Sequence, residues 1–408
     1  MKFKHKQLDN GLEIIAEINA NAYSAAIGFF VRTGSRDETP ELAGCSHFLE
    51  HLVFKGTATR TAVAVNRELD DMGGRANAFT GEEVTAYYII LLPELLEHGI
   101  ELLADLMRPA LRQEDFEMER KVVLEEIQMY DDQPPYGIDE KSRELFFAGH
   151  PVGKSVLGTA ESISAVTVDQ IRDYHQRQYS PGNIVVTACG NVDFELLVHT
   201  LARVCGTWKA CDVEHKLTNP QVQCGQQVIV RPTSNQEYIC RVSLAPSRQD
   251  DDRYAAAVLA NMLGDDVGSR LFWELVDNGR ADSASLSYAN YADTGSMVTW
   301  LCGAPEDTQE NLGIIDRIVR DVSTNGFREE EFLRARNKIL SAIVLAGETP
   351  RGRLFGVGAE WLHLRRYYTI ADDVQIVNSL SLDQIHAVLA KYPLTESLTM
   401  AVGPLETL

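Results

Sequence analysis

Residues 45–57 read CSHFLEHLVFKGT and place two of the chain's ten histidines one helical turn apart, with a glutamate between them. On an α-helix, His47 and His51 stand at positions i and i+4, so both imidazoles project from one face. Two nitrogens at that spacing can bind one zinc ion at about 2.0–2.1 Å. Glu50 lies near the same face but not between the rings, which suits a general base better than a ligand. The alternative is a helix whose histidines and acid face solvent or one another.

The order His-x-x-Glu-His inverts the motif of ordinary zinc peptidases, and a catalytic zinc also needs a third protein ligand and an open position for water. The candidates lie in residues 117–132, on a helix predicted from about Glu114 to Tyr130. A carboxylate on the buried face of that helix needs a cation nearby, and zinc would supply one. We therefore predict Glu126 as the third ligand and Glu119, two turns earlier, as a carboxylate that positions a ligand or water. The alternative is an amphipathic helix with two acids slightly off register. The predicted buried face comprises Glu119, Val122, Val123, Glu126 and Tyr130.

The rest of the chain alternates strand-like and helix-like segments in two similar halves. In each half a buried strand is followed by a polar loop and then a helix, as an ancestral duplication would produce. The predicted fold is α+β, with two structurally similar α/β-roll domains, each a mainly antiparallel sheet covered by helices. We place the zinc-binding catalytic domain at residues 1–207, a polar linker at 208–227 and a second domain at 228–408. Residues 162–179 are predicted as one helix, and only long helices are expected after the last pair of strands.

Composition limits the function and the location. A formal net charge of −21 argues against a nucleic-acid partner, because phosphates would be repelled. It is compatible with basic peptides as substrates, and the alternative is an acidic surface that only keeps the protein soluble. No apolar run of membrane-spanning length occurs, and the N-terminus lacks the apolar core of a signal peptide. The seven cysteines form an odd set without a C-x-x-C pair, which favours reduced core cysteines over disulfides. These observations predict a cytoplasmic protein with no membrane contact, and the alternative is a chain that is already in its mature form.

Three stretches of the sequence, two of which contain the residues discussed above, show a family resemblance. HFLEHLVFKGT, GGRANAFTGEEVTAYY and ERKVVLEEIQMYDDQP together resemble the pitrilysin-type metallopeptidases, which include insulysin and the mitochondrial processing peptidases. Glu126 follows His51 by 75 positions, the spacing that this family shows. Weaker similarities continue through YSPGNIVVTACGNVD and GDDVGSRLFWEL, so the resemblance covers nearly the whole chain.

The resemblance implies a zinc endopeptidase that acts on short or unfolded peptides inside a clamshell dimer. In that family the histidines and the distal glutamate hold one Zn²⁺, and the roles inferred above for Glu50 and Glu119 match the general base and the supporting acid. The family also binds an extended substrate along the strand that matches GGRANAFT. That role falls to Asn77 and Ala78, for which the alternative is a plain junction between a turn and a strand.

The second half departs from the family pattern. Family members carry an arginine and a tyrosine that bind the substrate and the developing oxyanion, and here Val276 and Asp282 occupy those positions. Arg280, Tyr288 and Tyr291 are the nearest substitutes, but none is in register. Two assemblies follow: a heterodimer with a similar subunit that supplies the Arg/Tyr pair, or a homodimer with a modified oxyanion site. The third possibility is a non-catalytic scaffold subunit, although such members typically lose zinc ligands.

Overall fold

The computed structural model of the protein describes residues 1–132, 135 and 137–408. It divides into two compact units, and each contains segments from both halves of the sequence. The first unit comprises Met1–Ile127, Ser155–Lys216 and Val344–Ile370, and the second comprises Gln128–Lys154, Leu217–Ile343 and Ala371–Leu408. The boundaries predicted from the sequence, at 1–207, 208–227 and 228–408, divide the chain by its internal repeat, whereas the two units are divided by compactness. The predicted boundaries therefore stay a prediction.

The strands form two groups, one in each unit. The first group is β1 (Lys2–Gln7), β2 (Glu13–Ile18), β3 (Ala25–Val31), β4 (Arg75–Thr80), β5 (Thr85–Leu91) and β6 (Ile184–Gly190). The second group is β7 (Gly225–Val230), β8 (Glu237–Ala245), β9 (Ser283–Asn290), β10 (Gly295–Gly303) and β11 (Ser397–Gly403).

Helices connect and cover these strands. In the first half of the chain they are α1 (Cys45–Val53), α2 (Ala62–Met72), α3 (Leu96–Leu106), α4 (Gln113–Asp132), α5 (Ile138–Phe146), α6 (Ala160–Ala165), α7 (Val168–Gln178) and α8 (Phe194–Cys205). In the second half they are α9 (Arg253–Gly264), α10 (Thr308–Asn325), α11 (Glu329–Gly347), α12 (Pro350–Leu364), α13 (Ile370–Ser379) and α14 (Leu382–Lys391), with a short π-helical turn at Phe272–Val276.

The two sheets share one topology. The first has the strand order β1-β2-β6-β3-β5-β4 and the second has the order β7-β11-β8-β10-β9. Without β1 the orders correspond strand for strand. In each sheet one pair is parallel, β2 with β6 and β7 with β11, and the other pairs are antiparallel. The prediction of two similar α+β folds, each built on a mainly antiparallel sheet, is thereby confirmed.

Helix α12 shows how the first unit completes its core. It comes late in the sequence but packs on β3 and β6, where Leu354 and Val357 join Phe30 in one buried cluster. Gly358 permits this close approach, because a Cβ at that position would lie 2.7 Å from the Phe30 ring. Strands β3 and β6 are fully buried as a result. In the second unit α5, from the first half of the chain, packs correspondingly on β8 and β11.

Three local expectations were wrong. The helix predicted over residues 162–179 is two helices, because the Thr167 side chain accepts a hydrogen bond from the Gln170 amide and starts α7 anew. The chain ends with a strand, β11, which had not been predicted. Val122 is 43% exposed, so the buried face of α4 differs from the predicted one: it keeps Glu119 and Val123 and also contains Phe116 and Ile127.

Candidate metal centre

Helix α1, which carries the histidine motif, is held firmly at its N-terminus. The buried Glu38 carboxylate accepts hydrogen bonds from the amides of Gly44 (2.7 Å) and Ser46 (2.6 Å), two donors that the helix itself leaves unpaired. Gly44 adopts φ +86°, and a Cβ there would lie 2.4 Å from the Leu157 carbonyl oxygen. The start of α1 is therefore fixed by both hydrogen bonding and close packing, which fixes the direction of the histidines that follow.

Aromatic packing brings α4 against α1. Phe48 and Phe116 are both fully buried, and their rings stack with centroids 5.0 Å apart. Phe48 directly follows His47, and Phe116 lies three residues before Glu119. This contact therefore places the acidic side of α4 next to the face of α1 that carries His47 and His51.

The three predicted ligands converge. The Glu126 Oε2 atom lies 3.8 Å from His47 Nε2 and 3.7 Å from His51 Nε2, and the donor atoms of all three residues lie within 4.8 Å of one another. The two measured separations are too long for hydrogen bonds. They are close to the ~3.4 Å that separates two ligands of a tetrahedral ion with bonds of about 2.1 Å. The donor set of two imidazoles and one carboxylate also matches the chemistry of a catalytic zinc site.

The protonation state of His47 suits metal binding. Burial and, to a smaller extent, the neighbouring His51 together lower the pKa of His47 to about 4. The imidazole is therefore neutral near pH 7, the state in which its nitrogen lone pair is free for a metal ion. The centroids of the His47 and His51 rings are 4.7 Å apart, and the ring planes are inclined to each other by 67°, so the two rings approach a common point from different directions.

Glu119 contacts the candidate metal centre through the His51 ring. Its side chain is only 4% exposed, and its Oε2 lies 3.2 Å from His51 Nδ1. Such a contact fixes the His51 proton on Nδ1 and leaves Nε2 to face Glu126. The other carboxylate oxygen of Glu119 pairs with Lys55 Nζ at 2.5 Å, which balances its buried charge. Glu125, the next acid on α4, is exposed as expected.

Glu50 points toward strand β4. Thr80 Oγ1, at the end of β4, donates a 2.6 Å hydrogen bond to Glu50 Oε2. Burial raises the pKa of Glu50, as does the nearby Glu126, whereas the Thr80 hydrogen bond and His51 lower it. A carboxylate with a raised pKa and a fixed orientation is chemically suited to accept and return a proton.

Strand β4 itself is the free edge of the first sheet. It pairs only with β5 among the described residues, and its side chains alternate between exposed and half-buried positions. The Ala78 amide donates to the side chain of Asn77, with Oδ1 at 2.9 Å. Asn77 and Ala78 thus lie on an exposed edge of the strand that also holds Glu50 through Thr80.

Two residues of this site were not predicted from the sequence. Lys55 stands one turn after His51, a spacing that could have indicated a partner for a nearby acid. Thr80 gave no such signal, because its contact with Glu50 joins positions 30 residues apart in the chain and depends on how β4 packs against α1.

In the second unit, Asp282 and two of the substitutes considered for the family's arginine and tyrosine have partners within the protein. Asp282 accepts a 2.6 Å hydrogen bond from Gln236 Nε2, and Arg280 pairs with Glu310. The Tyr288 hydroxyl donates to the Pro246 carbonyl oxygen at 2.7 Å. Arg280 and Tyr288, two of the three possible substitutes, therefore already have protein partners.

Sequence comparisons match the chain over most of its length. The family model described as insulinase (peptidase family M16) matches residues 13–160, and that of the peptidase M16 inactive domain matches residues 165–339. A protein of Mycobacterium leprae described as an uncharacterized zinc protease is 32% identical, over 93% of this chain and 87% of its own length. A probable mitochondrial-processing peptidase subunit beta of Arabidopsis thaliana is 27% identical, over 98% of this chain and 78% of its own.

The fold also matches solved structures. The crystal structure of a protease from Helicobacter pylori superimposes with a TM-score of 0.90, covering 98% of this chain and 99% of the other. The two sequences are 23% identical, so this match concerns the fold alone.

Proposed function

Because the chain belongs to the insulinase family of peptidases, M16, we propose that it is a zinc-dependent endopeptidase that hydrolyses short or unfolded peptides. Zinc is the cofactor expected of such a protein, since its relatives are named zinc proteases. One observation carries the proposal: the donor atoms of His47, His51 and Glu126 meet within 4.8 Å although α1 and α4 are far apart in the sequence.

The proposed chemistry assigns a distinct task to each side chain. His47, His51 and Glu126 would hold zinc, which when bound lowers the pKa of water and polarises a carbonyl group. Glu50 accepts the proton of the attacking water and returns it to the leaving amine. Thr80 keeps the Glu50 carboxylate directed at the site, and Glu119 holds the His51 ring in one orientation.

We assign substrate binding to the exposed edge of β4. An extended peptide that pairs with this edge would run past Asn77 and Ala78 toward Thr80, whose hydroxyl contacts the proposed base. Main-chain pairing is independent of sequence, so it suits a peptidase of broad specificity that requires unfolded substrates. The net charge of −21 supports a preference for basic peptides through long-range attraction.

We further propose that the chain works as a dimer. In a heterodimer a similar subunit would supply the missing Arg/Tyr pair, and the existing contacts of Arg280 with Glu310 and of Tyr288 with Pro246 support this arrangement. The relative named as a mitochondrial-processing peptidase subunit beta is compatible with it. A homodimer remains the alternative. Co-purification from the native source followed by mass spectrometry distinguishes them: a second family subunit supports the heterodimer, and this chain alone supports the homodimer.

The decisive test of activity combines metal analysis with peptide cleavage. We expect the purified full-length chain to contain about one zinc per chain and to cleave quenched fluorescent peptides. A chelator should abolish cleavage, and added zinc should restore it. A chain that holds zinc but cleaves only after its partner is added would be a partner-dependent subunit. A chain that binds no zinc would contradict the proposal and favour a scaffold role.

A cytoplasmic location is also proposed. All seven cysteines are free, and five of them are buried. Reduced cysteines are typical of the cytoplasm. Among the described residues there is no helix with the length and apolar content of a membrane span.

A further inference from the structure

A small cavity in the first unit lies apart from the candidate metal centre. It has a volume of about 240 Å³ and lies where residue 32, just after β3, meets the C-terminal end of α12 and residues 211–215 of the linker. Two arginines, Arg32 and Arg365, line it. No part of the proposed peptidase mechanism uses this cavity.

Neither arginine of the cavity is paired with a described carboxylate, although the charges of Asp37 and Glu83 act on Arg32 from nearby. Among the residues that the structure describes, neither guanidinium takes part in an ion pair or a side-chain hydrogen bond. Arg32 is half-buried and Arg365 is exposed, whereas the two buried arginines of this unit are paired: Arg36 with Glu83, and Arg353 with Glu17. Burial lowers the pKa of Arg32, and the nearby charge of Arg365 lowers it further. The two like charges repel each other, and an anion between them would relieve that repulsion.

The backbone at Arg365 is also unusual. Arg365 follows α12 directly with φ 54° and ψ 35°, the left-handed conformation that usually selects glycine at this position. Among the described non-glycine residues, only Leu111 also has a positive φ. Backbone strain of this kind is typical of functional positions. Here the Arg365 side chain contributes the second cation to the cavity.

The wall of the cavity is preformed. Both nitrogens of the His215 ring lie within hydrogen-bond distance of an oxygen acceptor: Nε2 is 2.9 Å from Asn183 Oδ1, and Nδ1 is 3.1 Å from Asp37 Oδ1. The Asn183 amide in turn donates to the carbonyl oxygens of Arg32 (3.0 Å) and Gln178 (2.8 Å). A ligand that enters therefore meets a wall that is already ordered, which reduces the entropy cost of binding.

We propose that this cavity binds a small tetrahedral oxyanion of the phosphate class between Arg32 and Arg365. The planar fork of a guanidinium matches two oxygens of such an anion, and two forks can hold it from two sides. The cavity is smaller than the roughly 300–1,000 Å³ of typical organic-ligand pockets, so a nucleotide does not fit within it. Asp212 also lines the cavity, and its carboxylate opposes the anion and limits the affinity.

The test is calorimetric titration of the full-length, zinc-loaded chain with inorganic phosphate and, separately, with glycerol phosphate, at constant ionic strength. We expect one site per chain. Arg32→Gln and Arg365→Gln should each weaken binding by about tenfold or more, because each removes a charge-assisted contact. Asp212→Asn should tighten it. Arg67→Gln, which removes an exposed arginine from α2, is the matched control and should change nothing.

The two titrants separate the possible sources of the anion. Binding of inorganic phosphate alone identifies the free ion, whereas binding of both identifies the phosphate group of a small metabolite, and either result supports the site. Unchanged affinity in both arginine variants would overturn it, because phosphate would then be binding elsewhere, for example at zinc. No saturable binding below about 10 mM anion would overturn it as well.

A folding control accompanies these variants. Without phosphate, Arg32→Gln should unfold at the same temperature as the parent chain or slightly above it, because a like-charge repulsion is removed. Arg365→Gly should lose phosphate binding and unfold at a higher temperature, since glycine adopts the left-handed conformation without strain. A marked fall in unfolding temperature for both variants in phosphate-free buffer would instead assign the arginines a structural role and contradict the proposal.

Discussion

Three glutamates of the candidate metal centre have different surroundings, and those surroundings define their proposed roles. Glu126 is half-buried and faces both imidazoles. Glu119 is almost fully buried and paired with Lys55. Glu50 faces Thr80 on the exposed edge strand. The same side-chain chemistry is thus proposed to provide a ligand, a support and a base.

Glu50→Gln should separate binding from turnover. The amide keeps the size of the side chain and leaves the three metal donors in place, but it cannot accept the proton of the attacking water. We expect unchanged zinc content and peptide affinity, with kcat lower by about 10²–10⁴-fold. Zinc analysis, a peptide-binding measurement and kinetic assays check this outcome. Full activity in this variant would exclude Glu50 as the base.

Glu119→Gln should weaken the metal site without removing a ligand. Losing the charge beside His51 Nδ1 reduces the basicity and the fixed orientation of that ring. We expect zinc affinity to fall by about 10–100-fold, as for other residues that hold metal-binding histidines in place. Competition with a chromogenic chelator measures it. Glu125→Gln, on the exposed side of the same helix, is the matched control, and an equal loss in both variants would contradict the assignment.

The cysteines should fall into two classes of reactivity. Cys211 and Cys224 are exposed, and the other five are buried. Burial raises the pKa of Cys205 and Cys240 to about 12, and that of Cys302 to about 11, so these thiols carry almost no thiolate near neutral pH. A thiol reagent at pH 8 should therefore modify two cysteines rapidly in the native chain and all seven after denaturation. Rapid modification of more than two would contradict the buried positions.

At the scale of elements, α12 contributes more than an apolar face to the first unit. Its Arg353 forms two hydrogen bonds with the buried Glu17 of β2, at 2.7 and 2.5 Å. The Tyr367 hydroxyl donates to the same carboxylate at 2.8 Å. This buried pair joins residues 336 positions apart and fixes α12 on the sheet.

Arg353→Met should destabilise the protein strongly, because it leaves the Glu17 charge buried without its cation. We expect a loss of about 3–5 kcal/mol, measured by denaturant unfolding of the full-length chain. The double variant Glu17→Met with Arg353→Met should recover most of that loss, since no unpaired charge remains. Arg351→Met, two residues earlier and exposed, should cost less than about 1 kcal/mol. Equal costs for Arg351 and Arg353 would contradict the importance of the buried pair.

At the scale of the whole molecule, each unit contains a segment from the half of the sequence that forms most of the other unit. Residues 344–370 complete the first unit, and residues 128–154 complete the second. Neither half of the sequence therefore contains all the elements that cover its own sheet. The apolar face of β3 and β6 that α12 covers would be exposed in a chain that stops after the linker.

Residues 1–216 expressed alone should therefore fail to fold stably, although they contain every predicted zinc ligand. The cause is the uncovered sheet face around Phe30, which α12 buries in the intact chain. We expect aggregation or strong binding of a hydrophobic dye, and recovery when a segment equivalent to residues 344–370 is attached through a flexible linker. A stable, zinc-binding 1–216 fragment would show that α12 is dispensable.

The sequence by itself determined the features that depend on local spacing. The positions of His47 and His51 follow from the helical period, and the burial of Glu119 and exposure of Glu125 follow from the same period on α4. The repetition of strand, loop and helix predicted two similar folds, and both sheets have that shared order. Each of these inferences needs only residues within a few turns of one another.

Only the tertiary structure decided which distant segments meet. No periodicity indicated that α12 covers the first sheet, that Thr80 holds Glu50, or that Arg32 and Arg365 share a cavity. The final strand was missed for a related reason, because β11 owes its place to pairing with β7 and β8. A local pattern reports which face of an element is apolar, whereas the partner of that face depends on the free energy of packing the whole chain.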